Sequence, residues 1–274
     1  MLPTQEERLR IAQRLNHIGA SICIPACHAQ DTLPATLKAI ANQSYPPLEI
    51  IIAIDNCRPT LQAAIDNTPQ EIQGITRLIY LPIKAGCYRA RNTAALLAKQ
   101  PVLIPCDADD IPLSNHLEIL IGILNNKRIV RSLLYNLDRP HNILPAVSQI
   151  AIHRENFINI GGYIDYICGA DKEFLNRAAR TMTIKRATQP TYIRIPRHNS
   201  LTKHPDTKMG SDIRSRVQQD RTDKMYSGYK QLEIPIAEFK DRTPWEYIGS
   251  TVEQQLRITK VTIDEQQWIE ESLQ

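Results

Sequence analysis

The sequence has few aromatic residues, 5% of 274 positions. A folded core must therefore be built mainly from Ile, Leu, Ala and Val. No stretch reaches the roughly 18 consecutive apolar residues that a membrane-spanning helix needs. The first fifteen residues, MLPTQEERLRIAQRL, are polar and charged, without the apolar segment of a secretory leader. The expected location is the cytoplasm, with or without peripheral contact to a membrane. No CxxC pair occurs among the six cysteines, Cys23, Cys27, Cys57, Cys87, Cys106 and Cys168. Cys23 and Cys27 alone lack a second zinc half-site, so small buried thiols are the expected reading. A cytosolic chain of this length does not need disulfides. No internal repeat and no low-complexity stretch is visible. The net charge of +4 suits a phosphate-bearing substrate but does not by itself indicate nucleic acid. With 42% apolar residues, wholesale disorder is excluded.

The patterning alternates between strand and helix signals. Residues 4–16 read as an amphipathic helix, with Thr4 and Glu7 at capping-box spacing and Gly19 as its terminator. Apolar runs at Ala20–Pro25, Leu48–Ile54, Arg77–Leu81 and Val102–Cys106 read as strands. Helices are expected between them at Leu33–Ala41, Thr60–Ile65 and Asn92–Lys99. The β-branched run at 48–54 suits a parallel strand covered on both faces. The order implies a doubly wound α/β sheet. Beyond Asp110 a helix is expected at Asn115–Leu124 and strands at Ile129–Tyr135 and Ala146–His153. A short helix, Gly161-Gly162, a helix at Asp171–Thr181 and an extended stretch at 183–195 follow. The tail from Met209 is polar and helical in character. The expected division is an N-terminal helix (1–19), a main α/β domain (20–208) and a helical C-terminal extension (209–274).

The segment Val102–Ile111, VLIPCDADDI, places Asp107, Asp109 and Asp110 directly after a buried strand. Ligands in open α/β sheets bind beyond the carboxyl ends of strands. Clustered carboxylates repel one another, and a cation would relieve that repulsion. Oxygen ligands favour Mg²⁺ or Mn²⁺ over zinc. Taken in isolation, the same residues also suit a polar turn in which one Asp caps the next helix.

Five segments in order resemble the inverting family 2 glycosyltransferases of the GT-A fold. They are SICIPACHAQDTLPATLKAIANQSYPPLEIIIAIDN, GCYRARN from Gly86, DADD from Asp107, Gly161-Gly162-Tyr163 with Gly169-Ala170-Asp171, and Arg194–Thr202. The match covers about Ser21 to Thr202. It implies a Rossmann-like, mostly parallel sheet flanked by helices, and transfer of a sugar from a nucleotide-diphosphate donor to a hydroxyl acceptor. Mn²⁺ or Mg²⁺ is the implied cofactor and a UDP-sugar the implied donor. The implied acceptor is a saccharide or a lipid-linked saccharide.

The same resemblance assigns residues. Pro25, Ala26, His28 and Asp55 would line the nucleoside pocket. Arg91 would lie near the base or diphosphate, and Asp107 with Ala108 on the ribose or metal side. Asp109 and His198 would hold the metal, and Asp171 would be the general base. Two departures stand out: Ala26-Cys27-His28 in the first loop, and Ala170 where the family carries Glu. Extra residues also separate Arg194 from His198. Each residue has a plainer reading as well. Asp171 could be a helix N-terminal carboxylate, Asp55 a turn residue and Arg91 a surface cation. Alternatives of other kinds are a phage-type transferase with a DNA acceptor, suggested by the basic stretch from Lys203 to Lys230, and a non-catalytic nucleotide-sugar binding module. A nucleotidyltransferase would want a Gly-rich basic loop where ACHAQD stands.

Overall fold

The computed structural model describes residues 4–82, 84–137, 143–197, 200, 203–226 and 246–247. Helix α1 (Gln5–Arg14) starts with the expected capping box, Thr4 and Glu7 each bonding the other's backbone N–H. It ends earlier than the sequence suggested. Asn16 and His17, both at positive φ, turn the chain before Gly19 is reached.

The elements then run β1 (Ala20–Ala26), α2 (Leu33–Ala41), β2 (Glu49–Asp55), α3 (Arg58–Asn67), α4 (Gln70–Gln73) and β3 (Thr76–Leu81). They continue with α5 (Cys87–Leu97), β4 (Val102–Pro105), β5 (Ile111–Pro112), α6 (His116–Ile123), β6 (Arg128–Asn136) and β7 (Ile143–His153). The last are α7 (Arg154–Ile160), α8 (Ala170–Ala178), β8 (Thr183–Arg194), α9 (Asp212–Tyr226) and β9 (Glu246–Tyr247). Helix α5 begins at Cys87, five residues before the periodicity suggested, because Gly86 adopts φ 88° as its N-cap and releases the chain from the preceding loop.

Among the described residues one sheet carries all nine strands, in the order β5-β8-β6-β7-β4-β1-β2-β3-β9. The segment β3-β2-β1-β4 is parallel throughout. The other half is mixed. β7 runs antiparallel to β4 and β6, β8 runs parallel to β6, and the short β5 and β9 lie antiparallel on the edges. The sheet is therefore mixed, because the chain after β4 returns by antiparallel pairing. Side chains alternate across the parallel strands. Ile22, Ile24, Ile50, Ile52 and Ile54 pack with α2, α3 and α6 on one face. Cys23, Ile51, Ala53 and Ile79 pack with α5 and with Phe157 and Phe174 on the other. Both faces are thus covered, which is why the 48–54 run has no polar alternation. Among the described residues no helix is long and apolar enough to cross a membrane.

Candidate functional site

The carboxyl ends of β1, β2 and β4 open on the same edge of the sheet, and most of the nominated residues gather there. Asp55 ends β2 and is buried. Its Oδ1 accepts from the Ala85 amide at 2.5 Å and its Oδ2 from the Gly86 amide at 2.9 Å. Both oxygens thus anchor the loop leading into α5, a structural duty in addition to the nucleoside contact expected of Asp55. Pro25 and Ala26 are buried in the last turn of β1, opposite Ala53 and Ile54. His28 lies just beyond, exposed, with a left-handed backbone at φ 50°.

Arg91 projects from α5 and is buried, not a surface cation. Its Nη2 bonds Asp107 Oδ1, and its guanidinium carbon lies 5.4 Å from the Tyr88 ring centroid and 5.9 Å from that of Tyr163. The ring faces stabilise a desolvated cation. Its Nε is buried and has no hydrogen-bond partner among the described residues. Asp107 Oδ2 accepts from Gln149 Nε2 of β7 at 2.5 Å, so both carboxylate oxygens of Asp107 are engaged within the protein. Ala108 is buried, and its carbonyl accepts from Thr32 Oγ1 at 3.0 Å.

Asp109 presents its Oδ2 to Arg197 Nη1 at 3.2 Å, and Arg197 Nη2 donates to the His28 carbonyl at 2.5 Å. Burial first, and then the charge of Asp107, raises the Asp109 carboxyl above its ordinary value. The third carboxylate, Asp110, faces inward. Its Oδ1 accepts the Ile195 amide at 2.9 Å, and burial with the charges of Asp107 and Asp109 pushes it up to about 8. Asp107 is taken up by Arg91 and Gln149 and Asp110 faces inward, which leaves Asp109, paired with the partly exposed Arg197, as the carboxylate a cation would reach. Mg²⁺ and Mn²⁺ are commonly held by one or two carboxylates together with substrate phosphates and water, so the donor set fits. His198, the other nominated ligand, lies outside the described residues.

Asp171 sits in the first turn of α8, where the helix dipole favours its charge. Its Oδ1 accepts from Tyr88 Oη at 3.2 Å and from the Lys172 amide at 2.9 Å. Tyr88 Oη also accepts the Gly169 amide at 3.0 Å. One side chain of α5 therefore sets the start of α8.

Several motif residues prove to be braces. Asn92 clamps Tyr163 twice, from Nδ2 to its carbonyl at 2.7 Å and from its amide to Oδ1 at 2.9 Å. Gly161 and Gly162 take φ 95° and 64°, which brings Tyr163 back under α5. Gln43 is fully buried and bonds the Leu113 carbonyl at 2.7 Å and the Leu117 amide at 3.1 Å, tying the QSYP turn to the segment after Asp110. Reading the sequence gave no role to Tyr88, Gln149 or Arg197, and it noted Asp110 only as one of the clustered carboxylates. Arg197 lay inside the noted extra residues after Arg194. Gln149 carried no signal, since only the antiparallel β7–β4 pairing brings it to Asp107.

The model of glycosyl transferase family 2 matches residues 21–177, more than half of the chain. The chain belongs to this family. A relative in Escherichia coli, the UDP-Glc:alpha-D-GlcNAc-diphosphoundecaprenol beta-1,3-glucosyltransferase WfgD, is 26% identical over 113 residues, 40% of this chain and 42% of the relative. The chain thus matches less than half the length of that protein. Among solved structures, S. aureus TarS 1–349 in complex with UDP-GlcNAc superposes with a TM-score of 0.59 at 12% identity, over 66% of this chain and 60% of TarS. Its complex with UDP gives 0.56 at 11% identity, over 82% and 78% of the two chains. At such identities the likeness is one of fold, and the fold is the GT-A arrangement the motifs implied.

Proposed function

We propose that this family 2 member transfers a sugar from a nucleotide-diphosphate donor, UDP-linked by preference, to a hydroxyl of a saccharide acceptor carried on a lipid. The supporting observation is the chain of contacts from Asp107 through Arg91 and Tyr88 to Asp171. It joins the carboxylate at the end of β4 to the carboxylate opening α8, one on the donor side and one on the acceptor side. The lipid-linked acceptor is suggested by the name of the E. coli relative, and the uridine nucleotide by the ligands of TarS.

In this reading Asp55, Pro25, Ala26 and His28 border the nucleoside, and Arg91 with Asp107 fixes the floor beside the diphosphate. A divalent cation on Asp109, with His198 as a further candidate ligand, would supply charge to offset that of the departing nucleotide. Asp171 accepts the proton of the attacking hydroxyl, with inversion at the sugar carbon. Tyr88 donates to one oxygen of Asp171 and so orients the carboxylate for that task. Holding donor and acceptor in line provides the remaining part of the barrier reduction.

The test is calorimetric titration of nucleoside diphosphates and their sugars, with and without Mn²⁺, on the wild type and on Asp109→Ala. Metal-dependent binding of a uridine nucleotide, lost in the variant, is the expected result. Absence of binding to every nucleotide would overturn the proposal.

A further inference from the structure

Cys27 and His28 directly follow β1, and Cys57 is the N-cap residue of α3, two positions after the end of β2. β1 and β2 are neighbouring parallel strands in which Ala26 pairs with Ile54, so the two loops leave the sheet side by side. As a result one ligand atom from each of Cys27, His28 and Cys57 lies within 4.8 Å of the other two. All the cysteines are free thiols.

We propose that Cys27, His28 and Cys57 form a binding site for Zn²⁺, chemically distinct from the hard-cation site at Asp109. His28 Nδ1 lies 3.9 Å from Cys57 Sγ. In a tetrahedral site with Zn–S near 2.3 Å and Zn–N near 2.0–2.1 Å, a sulfur and a nitrogen ligand stand about 3.5 Å apart. That pair needs only a small contraction to take up an ion. Two sulfurs and an imidazole select zinc over Mg²⁺ or Mn²⁺, which prefer oxygen.

The ligands are also supported from behind. Cys57 Sγ accepts the His28 amide at 3.3 Å and lies 3.1 Å from Thr60 Oγ1, which itself accepts the Ala29 amide at 3.0 Å. Hydrogen bonds of this kind orient a metal-binding sulfur. The left-handed backbone of His28, unusual for a residue with a side chain, belongs to the same turn. Three protein ligands leave the fourth tetrahedral position for water or a phosphate oxygen. Spacing concealed the site, because Cys57 comes 29 positions after His28 and from the adjacent strand.

The site has a consequence for the carboxylates. The His28 carbonyl accepts from Arg197, whose other nitrogen holds Asp109. Zinc on the His28 imidazole would fix one end of that bridge.

The experiment is titration of the reduced protein with Zn²⁺ against a chromophoric chelator, in the absence of nucleotide, so that its result is independent of the proposed sugar transfer. One equivalent of zinc should bind, with affinity at least about tenfold weaker in His28→Ala and in Cys57→Ser. His28 is exposed, so His28→Ala tests the site without threatening the fold. Co²⁺ added to the wild type should give tetrahedral d–d bands and a thiolate-to-metal charge-transfer band, and excess Mn²⁺ should not displace it. No uptake of zinc by the reduced protein, uptake unchanged in both variants, or a cobalt spectrum without the thiolate band would each overturn the proposal.

Discussion

Arg197 Nη1 stands 3.2 Å from Asp109 Oδ2, so the carboxylate nominated to hold a metal is already paired with a protein cation. Both side chains are about a quarter exposed, 26% and 28%. An ion pair of that exposure contributes up to about 1 kcal/mol. A divalent cation approaching Asp109 has to displace it. Arg197→Ala should therefore raise the affinity of the nucleotide-free protein for Mn²⁺, by about fivefold or less. Calorimetry with Mn²⁺ alone checks this, and an affinity that stays the same or falls would show that the pair does not compete with metal.

Asp171→Asn keeps the size of the side chain and removes its basicity. Loss of a general base typically costs about 10²–10⁴ in rate. Turnover of the donor with a competent acceptor should fall in that range, while calorimetric affinity for the nucleotide stays unchanged. A parallel loss of nucleotide affinity would move Asp171 from the acceptor side to the donor side.

Glu173 and Arg177 form a buried pair one turn apart on α8, with Nε–Oε1 at 2.8 Å and Nη2–Oε2 at 2.9 Å. Arg177 also donates to the carbonyls of Ile160 and Gly162, tying the end of α7 to the helix that carries Asp171. Arg177→Met would leave the Glu173 charge buried without its partner. Breaking a pair in this way costs about 3–5 kcal/mol. Denaturant unfolding should register the loss, and adding Glu173→Leu should recover part of it. A single variant as stable as the wild type would mean that water reaches Glu173.

The sheet was readable from the sequence where local pattern and long-range order agree. The run at 50–54 is apolar at every position because both faces of β2 are covered, and the ends of α2 follow directly from its periodicity. The motifs also located Asp107, Asp109 and Asp171 correctly at a strand end and a helix start. Pairing, by contrast, is not written locally. Nothing near Gln149 announces that β7 will lie antiparallel to β4 and meet Asp107. The edge strands β5 and β9 are two residues long, too short for any alternation. Cys27 and Cys57 look unrelated until the β1–β2 register puts their loops together. The short strand-end motifs were legible as chemistry, but their braces, Tyr88, Asn92 and Gln43, were legible only as members of a family pattern.

His116 gives a pH dependence whose sign is fixed by its surroundings. The ring is fully buried against Tyr192, with centroids 5.2 Å apart, and its Nδ1 lies 3.0 Å from Thr191 Oγ1. Nε2 has no partner. Burial disfavours the imidazolium and pushes the group down to about 3. In the unfolded chain the imidazole takes up a proton near its ordinary value of about 6.5. Between those values the unfolded state binds a proton that the folded state refuses, so stability rises with pH across this window. The contribution of His116 is complete above about pH 6.5 and declines as the pH falls toward 3, by up to about 1.4 kcal/mol per unit. His116→Gln can keep a bond to Thr191 without the titration. Urea unfolding at several pH values from about 7.5 down to 4.5 should therefore give a shallower loss of stability for the variant than for the wild type. Taking the difference cancels the carboxylates that both proteins share. Two parallel curves would mean that the His116 ring accepts its proton inside the folded protein.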